Sequence, residues 1–131
     1  MKSKVYFTKE ITPESLVKIY ETVGKELNGK VAVKISTGEL GGHNYLKPEL
    51  IKDLVSKLNG TIVECNTAYE GRRNTTEKHL ETLKEHGWSE NFHVDILDGE
   101  GPDLVLDIPN GKMIQKNYVG KNLKNYDSLL V

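Results

Sequence analysis

A chain of 131 residues is long enough for one domain with a modest core. Its 18 basic and 19 acidic side chains nearly cancel, which argues against nucleic acid as a partner, and its apolar runs of about five residues fall far short of the roughly 20 that span a bilayer. The single cysteine excludes an internal disulfide and any all-thiolate cluster within one chain; with no long apolar core at the start, the expected compartment is the cytoplasm.

Lys4-Val5-Tyr6-Phe7 reads as a first strand. Thr12-Pro13-Glu14-Ser15 is a helix start, with a capping threonine and proline at the first helical position. Leu16, Ile19, Tyr20, Val23 and Leu27 then form one apolar stripe, closed by Asn28-Gly29. Residues 31–35 are a valine-rich run without alternation, the pattern of a strand covered on both sides in a parallel sheet. Leu46, Leu50, Ile51, Leu54, Val55 and Leu58 make a second helical stripe, closed by Asn59-Gly60, and residues 61–65 are the next strand. Strand, helix and strand over 31–65 suit a right-handed crossover.

Asn74 or Thr75 caps a third helix over 76–86, whose apolar face is thin and which His86-Gly87 closes. Residues 92–97 offer a further strand. Residues 104–108 and 113–115 suggest a hairpin around Asn110-Gly111, and 119–124 a short turn or helix. Asp127 to Val131 looks like the start of a buried strand, so the chain reads as a piece of a longer one. The expected fold class is α/β: a single domain over 1–131, a three-layer α/β/α sandwich with a mainly parallel sheet and a peripheral β-hairpin.

Ligands of open parallel sheets bind beyond the carboxyl ends of the strands. Two long polar loops leave such ends, residues 36–45 and 66–74. The first places three glycines in five positions, Gly38, Gly41 and Gly42, ahead of a helix start. That arrangement offers backbone N–H groups to an anion, and Arg72 and Arg73 in the second loop offer guanidinium forks. The loop lacks the G-x-G-x-x-G and Gly-Lys-Ser/Thr orders of nucleotide sites, so solvated turns are the competing reading.

Glu39 and His43 are the candidates for acid–base chemistry, by position and not by motif. Glu39, His43, Cys65 and His79 are legal metal ligands, yet no close-spaced pair supports them, so a metal is not expected. Asp95, Asp98, Glu100 and Asp103 cluster in sequence without the spacing of a calcium loop.

Several stretches together resemble one family: Val31-Ala32-Val33-Lys34 with Thr37-Gly38-Glu39, residues 44–50, residues 66–73, His79-Leu80, His86-Gly87-Trp88 and Asp98-Gly99. The chain is similar to the amino-terminal part of the domain of unknown function 362 family, whose longer members are described as iron–sulfur or ferredoxin-like proteins. The resemblance implies an iron–sulfur cluster in those longer members and no cofactor within this chain, since Cys65 stands alone. It carries over Lys34, Glu39, Asn44, Tyr45, Asn66, Tyr69, Arg72, Arg73 and His79 as matching polar residues. The leading expectation is a small anionic ligand held by Gly38, Glu39, Gly41, Gly42, Asn44, Tyr45, Asn66, Tyr69, Arg72, Arg73 and His79. The alternatives are an enzyme half-site using His43 and Glu39 as acid or base, completed by a missing carboxyl-terminal segment or a second subunit, and a structural or interaction module that pairs as a homodimer.

Overall fold

The computed structural model describes residues 3–101 and 104–131. Its strands are β1 (Val31–Lys34), β2 (Thr61–Glu64), β3 (Val94–Ile96), β4 (Leu104–Asp107), β5 (Lys116–Val119) and β6 (Ser128–Leu130). Its helices are α1 (Pro13–Val23), α2 (Pro48–Leu58), α3 (Thr76–Glu85) and α4 (Trp88–Asn91), with a 3₁₀ segment at Lys121–Asn125. Four strands form an all-parallel sheet in the order β3-β2-β1-β6, and β4 and β5 form a separate antiparallel hairpin.

Alternation along the strands sorts the core into two faces. Val31, Val33, Ile62 and Ile96 point to one side, where Ile51 and Val55 of α2, Leu83 of α3 and Trp88 of α4 cover them. Ala32, Val63 and Leu97 point to the other, against Leu123 and Tyr126. The outer layers are thus unequal: all four α-helices lie on one side, and a 3₁₀ turn covers the other. Full burial of a large apolar side chain contributes roughly 1.5–3 kcal/mol, so the helical side dominates the stability. Among the described residues no helix is long and apolar enough to cross a membrane.

Local chemistry explains the helix ends. Thr12 and Ser15 form a reciprocal capping box, and Gly24 in the left-handed region stops α1. The helix therefore ends before Leu27, and Asn28-Gly29 belongs to the approach to β1. Asn59 in the left-handed region closes α2, and Thr75 caps α3.

Other expectations need correction. Lys4-Val5-Tyr6-Phe7 is not a strand; Val5 and Phe7 are 88 % and 82 % exposed. Strand-forming residues need a ladder partner, and this segment instead borders a cleft of about 820 Å³ shared with Leu16, Ile19, Leu54 and Leu130. The second hairpin arm begins at Lys116, not Met113, because Ile108 pairs with Gln115 across a wider loop. Among the described residues β6 pairs with β1 alone, and Leu129 is 48 % exposed. Residues 88–91 add a helical turn that the sequence pattern did not suggest.

Candidate functional site

Glu64 is the last residue of β2 and shares the helical face with Ile62. It is buried there, a costly place for a carboxylate without partners. Its partners come from three segments. The Thr37 amide donates to Glu64 Oε2 at 2.9 Å, and the Thr37 hydroxyl donates to the same oxygen. Arg73 Nη1 donates to Glu64 Oε1 at 2.7 Å, and His79 Nε2 lies 3.3 Å from Oε2. Burial pushes the Glu64 carboxyl up, but His79, Thr37 and the Arg73 charge outweigh it and hold the group below the ordinary carboxylate range.

Arg73 also faces outward. Its Nε donates to Glu39 Oε1 at 3.0 Å, and its Nη2 donates to that same oxygen. Tyr69 Oη donates to Glu39 Oε1 at 2.8 Å and accepts from Arg73 Nη2 at 3.2 Å. The hydrogen bond from Arg73, then that from Tyr69, lowers the Glu39 carboxyl. One guanidinium thus joins a buried carboxylate to a half-exposed one and ties residues 36–45 to residues 66–74.

The glycine-rich loop is fixed at its root. The Thr37 carbonyl accepts from Trp88 Nε1 at 3.1 Å and from His86 Nδ1 at 2.9 Å, so that imidazole nitrogen carries the hydrogen. Tyr45 stacks on His86 with ring centroids 4.0 Å apart, and Lys47 Nζ lies 3.6 Å over the Tyr45 ring. Gly38, at φ 89°, packs so tightly that a Cβ there would lie 2.5 Å from the Tyr45 Cβ. Only glycine fits both the angle and the space. Gly42 N donates to the Glu39 carbonyl at 2.8 Å and closes a turn, with open space around Gly41.

Asn66 anchors the second loop from below. Its amide donates to Asp98 Oδ1 at 2.8 Å, its Nδ2 to Thr76 Oγ1 at 2.9 Å, and its Oδ1 lies 3.2 Å from His79 Nδ1.

The sequence-derived candidates therefore separate into groups. Glu39, Tyr69 and Arg73 meet directly; Asn66 and His79 sit behind them, and Gly38 and Tyr45 beside them. Arg72 points away, to Glu81 Oε2 at 2.7 Å, and His43 and Asn44 are exposed on the first loop. Lys34 and Cys65 lie on the opposite face of the sheet, bordering a separate pocket with Leu97, Asp98 and Tyr118. Burial and then the Asp98 charge push the Cys65 thiol up. Glu64, Thr37, His86 and Trp88 join this network although no motif marks them as ligand-binding. The signal for Glu64 was a charge inside an otherwise apolar strand.

Among the described residues no group of three or more His, Cys, Asp or Glu side chains is placed to hold a metal ion. The imidazole nitrogens of His79 face Glu64, Thr37 and Asn66. Iron–sulfur clusters are held by several thiolates. A lone cysteine with a raised pKa does not fit one. Asp103 lies outside the described residues.

The family model "Domain of unknown function (DUF362)" matches residues 31–131, from the first residue of β1 onward. The chain belongs to this family. No curated protein and no solved structure matches it. The whole Glu64–Arg73–Glu39 network lies inside the stretch matched to DUF362, whereas α1 lies outside it.

Proposed function

We propose that this DUF362 domain binds a small anionic molecule at the carboxyl rim of its sheet, between residues 36–45 and 66–74. The observation that carries the reading is the Glu64–Arg73–Glu39 chain, which joins the two loops at the ends of the adjacent parallel strands β1 and β2. Buried ion pairs are a poor means of gaining stability, since apolar replacements of equal volume do as well or better. Their use here makes sense as positioning. The parts that remain available to a ligand are the open backbone around Gly41, the exposed side chains of His43 and Asn44, and Arg72, whose pairing with Glu81 is a weak surface one.

This reading fits the site better than acid–base chemistry by Glu39 and His43. Arg73 and Tyr69 hold Glu39 ionised, which leaves it a weak acceptor of protons at neutral pH. The redox link implied by the longer relatives would need a cluster whose ligands come from elsewhere.

Isothermal calorimetry with inorganic phosphate, citrate and a nucleoside monophosphate tests the proposal. At least one is expected to bind, and Arg72→Ala is expected to weaken it roughly tenfold, about 1.4 kcal/mol, with an unchanged unfolding midpoint. Binding of none of the three, or binding indifferent to Arg72, overturns it.

A further inference from the structure

The geometry points to Glu39 as the resident occupant of an oxyanion seat: the incoming anion takes its place on Arg73 and Tyr69. This inference rests on the reading of the rim as an anion site and names the contact the anion would make. Three donors, Arg73 Nε, Arg73 Nη2 and Tyr69 Oη, converge on the single atom Glu39 Oε1. A fork plus a phenol around one oxygen is the donor set expected for a carboxylate or phosphate oxygen.

The two halves of the network differ in how firmly they are held. The side chains of Arg73 and Glu64 are each 7 % exposed, whereas that of Glu39 is 46 % exposed. Arg73 is fixed from behind by Glu64, and its outer edge is closed by the Tyr69 hydroxyl and by a carboxylate that already half faces water. A swap of Glu39 for a ligand oxygen keeps an anion on Arg73, and the half-exposed Glu39 carboxylate turns into water. Removal of Glu39 with nothing in its place would leave Arg73 Nε without its acceptor and Nη2 with the Tyr69 hydroxyl alone, so the seat favours an anionic occupant.

The side chain of Glu39 has room for such a swap. Its backbone is held in a turn by the Gly42 amide, and the space around Gly41 is open. On the facing loop Gly71 offers no side chain, and a Cβ there would lie 4.0 Å from Glu39 Oε2. A tethered carboxylate competes at a high effective concentration, millimolar or more for a short flexible tether. The ligand class is therefore a carboxylate or phosphate that carries further groups for the rim, and a bare monoanion competes poorly against the native side chain.

Acetate is the probe, because it supplies the missing carboxylate and nothing else. In Glu39→Ala, acetate titrated at constant ionic strength is expected to bind saturably and to raise the unfolding temperature, at least tenfold more tightly than in the wild type. The double variant Glu39→Ala with Tyr69→Phe is expected to lose most of that gain. Should Glu39→Ala fail to fold, Glu39→Gln replaces it, with the neutral amide yielding the seat to acetate more readily than the native carboxylate does. A folded variant that gains no acetate affinity over the wild type overturns the displacement. If the wild type still binds a rim anion through Arg72, the rim reading stands without it; if neither protein binds any anion, both fall.

Discussion

Glu64 and Asp95 leave the parallel sheet on opposite faces, and they are held in different ways. Asp95, in β3, accepts from Asn122 Nδ2 at 2.8 Å and from Tyr126 Oη at 2.9 Å. Its donors are neutral and come from the 3₁₀ segment and the residue that follows it. Burial and then the Asp95 carboxylate push the Tyr126 phenol up, so it stays a donor at any working pH. Glu64 takes a guanidinium, a hydroxyl, a backbone amide and an imidazole, and the guanidinium carries a second carboxylate on its far side. Neutral hydrogen bonds are enough to pin a covering segment to a sheet. The charged chain on the other face does more, because it sets two loops at a fixed distance from each other.

The sharpest way to break this contrast is to remove the central cation. Arg73→Ala leaves Glu64 buried without its charge partner and is expected to cost about 3–5 kcal/mol in urea unfolding. In the sequence Arg72 and Arg73 are neighbours that offer the same guanidinium fork. The burial of Arg73 makes them opposites. A loss near 1 kcal/mol would place Arg73 among ordinary surface pairs.

Acid sharpens the contrast next. Glu39 and Glu64 both titrate below their ordinary value of 4.5 in the folded chain. Below that value the unfolded chain binds more protons than the folded one, so stability rises with pH there. Their contribution is full above about pH 4.5 and fades as pH falls through the folded values. Urea midpoints measured against pH are expected to fall less steeply in Glu64→Gln than in the wild type. Equal slopes would mean that Glu64 is not the group being protonated.

The smallest effect belongs to the neutral side. Tyr126→Phe removes one donor from Asp95 and is expected to cost roughly 1–2 kcal/mol in urea unfolding. A cost as large as that of Arg73→Ala would erase the distinction between the two faces.

How much of this was legible in the sequence follows from how local each signal is. The Val31–Ile35 run announced a covered strand, and the stripe from Leu50 to Leu58 announced α2, because periodicity is written in consecutive residues. The two loops were legible as the long polar stretches behind parallel strands. What they do with Glu39, Tyr69 and Arg73 was not, since pairing across 30 and 34 positions depends on strand order. Glu64 is not legible as a site residue because its partners Thr37 and His79 come from either side of β2 in the chain. The strand expected at Lys4–Phe7 shows the reverse case, in which local preference pointed to a ladder that the fold does not supply. The helical turn α4 is too short to show a period at all.

The pairing of β6 with β1 has a consequence for how the chain is made. The Lys30 amide bonds to Asp127, 97 positions later, and Val31 to Val33 find their partners in residues 128–130. At a translation speed of about 5–20 residues per second, one side of β1 waits on the order of 5–20 seconds for its neighbour. Until then the β1 edge of valine and alanine lacks its ladder partner on that side, and an unpaired strand edge is a template for pairing with another chain. Rapid synthesis or a bound chaperone would shorten the danger, and slow codons between β2 and β6 would lengthen it.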